Sequence, residues 1–287
     1  MNGVSVVIPT FNRSGPLRRS LASVFAQTVA PIEVIVVDDA SSDDTAAVMA
    51  GLQAPIPVTY VRFERNRGGG AARNAGIDRA RGDYVALLDS DDEWRPDHLE
   101  RHLAHAAGRS GDFLQGSSSI HIRGERSTPR RYDRDFEGRA AAGMDFILKM
   151  PMAFQSSTLF APAATWRGLR FDERFRRHQD WDLAFLALAR GIPLRIWPDT
   201  TSTYVDSGTA GVGLSAKLMP SLRFLVKHGA FISTSSRLRF ATLQVHRRRK
   251  ATGRYFAALV ASFLTGAIGL KEFVFYGREC LLRVVRG

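Results

Sequence analysis

The stretch IEVIVVDDASSDDTAAVMAGL, residues 32–52, carries the pattern that decides the fold. It opens with an apolar, β-branched run that is typical of a buried strand, and this run ends in the polar residues Asp38, Asp39 and Ser41. A serine, two acidic residues and then apolar residues follow, and this order predicts an N-capped helix. A buried strand that leads directly into a helix is the repeating unit of an α/β fold.

The same order of strand and helix recurs on both sides of this stretch. VSVVIPT at residues 4–10 predicts a strand, and the apolar spacing within residues 16–27 predicts a helix behind it. VTYVRF at 58–63 predicts a third strand, GGAARNAGIDRA at 69–80 a small-residue helix, and YVALLD at 84–89 a fourth strand. Strands that alternate with helices at this spacing indicate a Rossmann-like, mostly parallel, doubly wound sheet.

Polar residues follow three of these strands at the point where each strand ends. Because ligands of such sheets bind beyond the carboxyl ends of the strands, we expect the three groups to converge on one crevice. The groups are Pro9, Thr10 and Asn12; Asp38, Asp39 and Ser41; and Asp89, Asp91 and Asp92. The last group places three carboxylates within four residues, so their repulsion requires either solvent or a metal ion between them.

Composition argues against several classes of protein. The chain has 287 residues, of which 45% are apolar and 24% are charged, as in ordinary globular domains, and its single cysteine, Cys280, cannot form an internal disulfide. No Cys/His set has zinc spacing, and Arg73 stands where a dinucleotide-binding fingerprint needs its third glycine. The N-terminal sequence MNGVSVVIPTFNRS lacks the pattern of a signal peptide, so we expect a cytoplasmic protein.

Positive charge is concentrated at the C-terminal end of the chain. Residues 1–216 contain 26 Lys and Arg against 26 Asp and Glu, whereas residues 217–287 contain 14 against 2. The whole net charge of +12 therefore lies in the last quarter of the sequence. We predict a main domain at residues 1–215 and a basic, helical region at residues 216–287.

The basic C-terminal region is compatible with more than one role. Its longest uncharged run, residues 255–270, would form about 24 Å of helix, shorter than the ~30 Å hydrocarbon core, so no transmembrane span is predicted. Arginines beside apolar stretches favour contact with an anionic membrane surface, and a helical appendage packed on the main domain is the alternative. Nucleic acid is disfavoured as a partner, because no recognised binding module accompanies the charge.

Five sequence elements, in one order, resemble the family-2 glycosyltransferases. They are VSVVIPTFNR, EVIVVDDASSDDT, NRGGGAARNAG, GDYVALLDSDDEWRPDHL and FDERF…QDWDLAFLALARG, and together they cover residues 3 to about 205. The resemblance implies a GT-A fold and an inverting enzyme that moves a sugar from a nucleotide diphosphate to an acceptor.

The resemblance also implies how the donor would be held. The family's D-x-D motif falls on Asp89 and Asp91, which implies that Asp91 ligates Mg²⁺ or Mn²⁺, with Asp89 holding the sugar or ribose and Asp92 in support. Asp39 would accept the imide N–H of uracil, and Arg73 would point toward the nucleotide. The loop Pro9, Thr10 and Asn12 would supply base and ribose contacts. These roles imply a UDP-sugar, although a dTDP-sugar presents the same N–H group.

An inverting transfer needs a base that removes the proton of the acceptor hydroxyl. By resemblance this base is Asp180, while Asp182 orients or caps the helix. Many relatives carry Glu at the position of Gln179, so this chain lacks one negative neighbour there. A helix start that simply favours acidic residues is the alternative explanation for Asp180.

The sequence thus predicts a metal-dependent glycosyltransferase that extends a glycan or lipid-linked acceptor in the synthesis of a surface polysaccharide. A Mg²⁺-dependent nucleotidyltransferase is the enzymatic alternative, since it would also use carboxylate-bound metal on a similar sheet. An inactive, membrane-bound scaffold related to glycosyltransferases is the alternative without catalysis.

Overall fold

The computed structural model describes residues 3–123, 125–130, 132, 136–138, 147, 154–206, 219–228, 232–233 and the single positions 260, 270 and 274. By its internal contacts the chain divides into two units, Met1–Leu214 and Ser215–Gly287. Each unit is described by itself.

Within the described residues of the first unit, ten strands form one sheet and six α-helices accompany them, and the described part of the second unit contains one further α-helix, α7. The strands are β1 Val4–Thr10, β2 Glu33–Asp38, β3 Val58–Arg62, β4 Tyr84–Leu87, β5 Glu93–Trp94, β6 Leu114–Arg123, β7 Arg126–Arg130, β8 Phe136–Gly138, β9 Phe160–Pro162 and β10 Leu194–Asp206. The helices are α1 Ser14–Phe25, α2 Thr45–Ala50, α3 Gly69–Arg79, α4 His98–Ala106, α5 Ala163–Gly168, α6 Gln179–Ala189 and α7 Met219–His228, and a one-turn 3₁₀ helix spans Ser156–Thr158.

The sheet has a parallel half and a mixed half. Its strand order is β3-β2-β1-β4-β9-β6-β10-β5, with β7 paired to β6 and β8 paired to β10. Strands β1 to β4 pair in parallel, as the sequence predicts, whereas β9 runs antiparallel to both β4 and β6. Because β1, β2 and β4 are parallel, their carboxyl ends lie along one edge of the sheet.

Apolar strands and one face of each helix build the core. The side chains of β1 and β2 are buried throughout, and α1 buries Leu17, Leu21 and Val24 at helical spacing. Helix α3 approaches β1 more closely than a larger side chain would allow. A Cβ atom added at Gly76 would lie 2.3 Å from Cγ1 of Val7, so the small residues of this helix set its distance from the strand.

Helix α2 begins later than its serine predicts. The helix spans Thr45–Ala50 and has no side-chain N-cap hydrogen bond. Ser42, the serine directly before the two acidic residues, instead donates to Oδ1 of Asn12 from its backbone N–H at 2.7 Å and from its hydroxyl at 3.3 Å, so the predicted cap is used to hold the loop after β1.

The C-terminal unit is described only in part. Helix α7 ends in Lys227 and His228, and Val226 is 86% exposed on it. No helix in the described parts of the chain is long and apolar enough to span a membrane. The arginine cluster at 247–249 lies outside the described residues, so the helical character predicted for most of residues 216–287 stays a prediction.

Candidate active site

A cleft of about 630 Å³ opens beyond the carboxyl ends of β1, β2 and β4. Its lining includes seven residues that the sequence predicts for the site: Pro9, Thr10, Asn12, Asp39, Arg73, Asp89 and Asp91. The predicted convergence of the three strand ends on one crevice is therefore observed. The eighth predicted residue, Asp180, directly follows Gln179, which lines the same cleft.

The loop after β1 is tied to the loop after β2 through Asn12. The backbone of Asn12 has a φ of 52°, a left-handed conformation that asparagine tolerates better than most residues. Its Oδ1 accepts the backbone N–H of Ser42 at 2.7 Å. The Thr10 hydroxyl is buried and makes no hydrogen bond within the described structure, so it remains a polar group for a ligand of the cleft.

The two aspartates at the end of β2 have different surroundings. Asp38 is fully buried and accepts the Ser41 N–H at 2.8 Å and the Tyr60 hydroxyl at 2.6 Å. Asp39 lines the cleft and accepts the backbone N–H groups of Arg67 at 2.5 Å and Gly68 at 2.7 Å. Asp38 therefore has a structural role, whereas the Asp39 carboxylate, which has further lone pairs, holds the loop before α3.

Of the three carboxylates that follow β4, two line the cleft and one is buried. Asp89 and Asp91 line the cleft, whereas Asp92 is 1% exposed and accepts hydrogen bonds from the Ser157 hydroxyl at 2.5 Å and the Val205 N–H at 3.3 Å. Burial raises the pKa of Asp91, and the neighbouring charge of Asp89 raises it further. The site therefore has an excess of negative charge at the Asp89–Asp91 pair.

This pair suits a divalent cation that is shared with a phosphate-bearing ligand. Within the described residues no group of three or more His, Cys, Asp or Glu could hold a metal on its own. Mg²⁺ is commonly bound through only one or two carboxylates together with substrate phosphates and water. The raised pKa of Asp91 indicates that a positive charge there would be favourable. The residues present thus fit the implied Mg²⁺ or Mn²⁺.

Arg73 connects the carboxylate pair to the start of α6. Its Nη1 donates to Oε1 of Gln179 at 2.8 Å, and its Nη2 donates to Oδ1 of Asp89. The guanidinium is 5.4 Å from the centre of the Phe171 ring. Arg73 lines the cleft as predicted, but both of its terminal nitrogens are engaged with the protein in this state.

Asp180 lies half-buried in the first turn of α6. The helix follows His178, whose φ of 61° turns the chain sharply, and Oδ1 of Asp180 accepts the Trp181 N–H at 2.9 Å. Burial raises the pKa of Asp180 to about 6, and the Asp89 charge adds to that rise while Arg73 opposes it. Asp182 is 1% exposed and belongs to the buried face of the helix.

The residues that line the cleft without having been predicted for the site include Phe11, Arg13, Arg176 and Tyr204. Phe11 is 44% exposed, and its place directly after a strand end was an available signal. Arg13 lies 3.4 Å from Oδ2 of Asp91. Tyr204 is paired in register with His121 near the carboxyl ends of β10 and β6, and no strand was predicted for Tyr204.

Comparison with known proteins identifies related sequences. A family profile described as Glycosyl transferase family 2 matches residues 5–172. The Succinoglycan biosynthesis protein ExoO of Rhizobium meliloti (strain 1021) is 33% identical over 215 residues, which are 70% of this chain and 60% of that protein. The Amylovoran biosynthesis glycosyltransferase AmsB of Erwinia amylovora is 32% identical over 189 residues, 64% of this chain and 63% of its own. The chain thus spans about 60% of the length of these relatives.

Comparison with solved structures identifies the fold. The crystal structure of S. aureus TarS 1-349 matches 90% of this chain and 79% of its own length, with a TM-score of 0.65 and 17% identity. The structure of TarS 1-349 in complex with UDP-GlcNAc matches 85% of this chain and 66% of its own, with a TM-score of 0.62 and 18% identity. These likenesses confirm the predicted GT-A fold.

Proposed function

Since the chain belongs to glycosyl transferase family 2, we propose that it transfers a sugar from a UDP-sugar to a glycan or lipid-linked acceptor, with inversion at the anomeric carbon. The observation that carries this proposal is the single cleft that brings together the predicted strand-end residues with the Asp89–Asp91 pair. A binding scaffold without catalysis is the alternative, and the presence of Asp39, Asp91 and Asp180 together in one chain favours the enzyme.

The nucleotide is proposed to lie over the ends of β1 and β2. The exposed ring of Phe11 offers a stacking surface for a base, and base–aromatic stacking contributes about 1–3 kcal/mol. Asp39 would accept the imide N–H of uracil through its remaining lone pairs, and Thr10 would offer its buried hydroxyl to the ribose or base. A thymine base carries the same N–H group, so the sugar nucleotide is UDP- or dTDP-linked.

Asp91, with Asp89 beside it, is proposed to hold Mg²⁺ or Mn²⁺. When bound, the cation would neutralise the diphosphate and stabilise the charge that develops on the leaving phosphate oxygen. The protein's own contribution is to keep two carboxylates at the end of β4 while turning the third, Asp92, inward. Asp89 is in turn oriented by Arg73.

Asp180 is proposed as the general base. Its Oδ1 is occupied by the Trp181 N–H, so we assign Oδ2 as the oxygen that receives the proton. The acceptor oxygen bonds to the anomeric carbon as its proton passes to Asp180, and the bond from that carbon to the diphosphate breaks on the opposite face. A pKa of about 6 leaves the carboxylate ionised at neutral pH and more basic than an ordinary aspartate.

The biological product is proposed to be a bacterial-type surface polysaccharide. Two relatives are named for the biosynthesis of succinoglycan and of amylovoran. We extend this role in polysaccharide synthesis to the chain because residues 5–172, which match the family profile, include most of the residues that line the cleft.

The chain is also proposed to work in the cytoplasm at the inner face of an anionic membrane. Fourteen basic residues against two acidic ones in residues 217–287 would be attracted to acidic lipids. Among the few described residues of the C-terminal unit, Val226, Leu270 and Val274 are exposed. Exposed apolar groups beside basic residues suit the boundary between lipid headgroups and acyl chains.

Isothermal titration with UDP, with and without Mn²⁺, tests the proposed donor site. We expect UDP to bind the wild type more tightly in Mn²⁺ and Asp91→Ala to lose that gain, whereas Glu64→Ala, an exposed carboxylate outside the cleft, keeps it. Equal UDP binding with and without Mn²⁺ in the wild type would contradict the metal assignment. Release of pyrophosphate from a nucleoside triphosphate would instead support a nucleotidyltransferase.

A further inference from the structure

A buried serine far along the chain holds both ends of the carboxylate loop. Ser157 lies in the 3₁₀ turn ahead of β9 and is 0% exposed. Its hydroxyl accepts the backbone N–H of Asp89 at 3.0 Å and donates to Oδ2 of Asp92 at 2.5 Å. A single oxygen therefore bonds the first and the last aspartate of the loop, with Asp91 between them.

Three further groups fix Asp92 and the turn. The other carboxylate oxygen of Asp92, Oδ1, accepts the Val205 N–H at 3.3 Å, and its backbone carbonyl accepts the Ser20 hydroxyl at 2.6 Å. Nε1 of Trp94 donates to the carbonyl of Ser157 at 2.8 Å. Asp92 is thus an anchor of the loop, and it is not directed at the cleft.

The same segment is also attached to the helix that carries Asp180. Three residues before Ser157, the carbonyl of Phe154 accepts Nε1–H of Trp181 at 3.2 Å. Trp181 directly follows Asp180. The segment 154–157 therefore contacts the carboxylate loop at one end and the first turn of α6 at the other.

We propose that Ser157 is a positioning residue, which holds the Asp89–Asp92 loop in the conformation in which Asp89 and Asp91 meet the cation. This inference rests on the proposed metal site. Two carboxylates that face the same cleft repel each other, so without an external anchor the loop would relax by moving them apart. A loop that is already ordered loses less conformational entropy when cation and diphosphate bind.

Mn²⁺ binding in the presence of UDP tests this role directly. Ser157→Ala removes both hydroxyl bonds, and we expect Mn²⁺ to bind about 10- to 100-fold more weakly, the usual range for a group that orients a metal ligand. UDP binding measured without metal should change little, because Thr10, Phe11 and Asp39 are untouched. Ser156→Ala is the matched control: this buried neighbour in the same turn has no side-chain hydrogen bond to the loop within the described structure.

The outcomes separate this inference from the proposed function. If the wild type binds no Mn²⁺ with UDP, the metal site itself is wrong. If the wild type binds Mn²⁺ and Ser157→Ala binds it equally well, Ser157 does not position the loop. Should Ser157→Ala fail to fold, Ser157→Cys is the substitute, since it is nearly isosteric but donates only a weak S–H hydrogen bond. A folded Ser157→Cys with wild-type Mn²⁺ affinity would overturn the proposal.

Discussion

Arg73 donates from Nη1 to Oε1 of Gln179 over 2.8 Å, and this bond joins helix α3 to the first turn of α6. Because Arg73 also donates to Asp89, one guanidinium lies between the proposed metal-binding loop and the proposed base. Burial raises the pKa of Asp180 to about 6, and the charge of Arg73 limits that rise. One side chain thus contacts the proposed metal-binding loop and also lowers the pKa of the proposed base.

The pH dependence of transfer should report the ionisation of Asp180. A general base acts only when deprotonated, so kcat/KM should fall as the pH drops through about 6, the pKa to which burial raises this carboxyl. Initial rates between pH 4.5 and 8 at fixed Mn²⁺ would measure this fall in kcat/KM. A rate that stays constant down to pH 4.5 would exclude a carboxylate with so high a pKa as the base.

Gln179→Glu should shift the acidic fall in kcat/KM to higher pH. The substitution places a negative charge next to Asp180 and gives Arg73 a competing partner, and both changes disfavour the ionised form of Asp180. The comparison of the two pH profiles, wild type and variant, measures the shift. A fall in kcat/KM at unchanged pH would show that the charge of residue 179 does not affect the pKa of the base.

Asp180→Asn should reduce transfer by about 10²- to 10⁴-fold, the usual contribution of general-base catalysis, while UDP and Mn²⁺ binding stay near wild type. A merely structural role predicts otherwise, because asparagine serves at a helix start about as well as aspartate. Asp182→Asn is the matched comparison within the same turn. Near-wild-type turnover of Asp180→Asn would remove this residue as the base.

The same substitution should also raise stability at neutral pH. Burial raises the pKa of the Asp180 carboxyl from 3.8 to about 6 in the folded state, so ionisation of this group destabilises the fold. The free energy of unfolding therefore falls as the pH rises from about 3.8 to 6. Asparagine does not ionise and avoids the loss. The difference in melting temperature between Asp180→Asn and the wild type should therefore be small at pH 3.5, grow as the pH rises from about 3.8 to 6, and be largest at pH 8.

The histidines of α4 should make the protein sensitive to acid. His98 and His102 are fully buried, with their ring centres 4.4 Å apart and the rings tilted by 51°, and burial lowers the pKa of both, that of His102 to about 3. Since an unfolded histidine titrates near 6.5, stability is present above that pH and is lost as the pH falls from about 6.5 toward 3.

Urea unfolding at pH 7 and pH 5 would measure this loss. One such histidine accounts for about 2 kcal/mol between these two pH values. His102→Phe, placed against Phe160 and Trp197, should remove about that much of the pH dependence. If the free energy of unfolding of His102→Phe changes between pH 7 and pH 5 as much as that of the wild type, His102 is not held neutral in the folded protein.

The basic C-terminal unit should bind anionic vesicles in a salt-dependent manner. Arg247, Arg248, Arg249 and Lys250 changed together to glutamine should weaken binding by more than about tenfold, because each basic residue near an anionic surface contributes about 1 kcal/mol. Flotation of the full chain with anionic and neutral vesicles at low and high salt is the measurement. Salt-insensitive binding to neutral vesicles would point to insertion of apolar residues instead.

The parallel half of the sheet was predictable because its strands are continuous apolar runs that end abruptly in polar residues. Strand β10 gave no such signal. It contains Pro198 and Asp199, and it buries Thr201 and Ser202, so neither an apolar run nor regular alternation marks it. Tyr204, which lines the cleft from this strand, was missed for that reason.

The carboxylate loop shows a second limit of prediction from sequence. Three aspartates within four residues have similar local surroundings in the sequence, yet Asp92 is buried and only Asp89 and Asp91 line the cleft. The difference comes from Ser157, which lies 65 residues away from Asp92 along the chain. No local pattern contains that information, because the contact exists only once β9 pairs with β4.

The close approach of Gly76 to Val7 bears on how the site can diverge in evolution. Arg73 lies one helical turn before Gly76, so any side chain at position 76 would push α3 away from β1 and carry Arg73 with it. Descendants that acquire a new donor sugar are therefore expected to vary the loops at the rim of the cleft and to keep glycine at position 76. Selection experiments that randomise both regions should recover diversity in the loops and almost none at this residue.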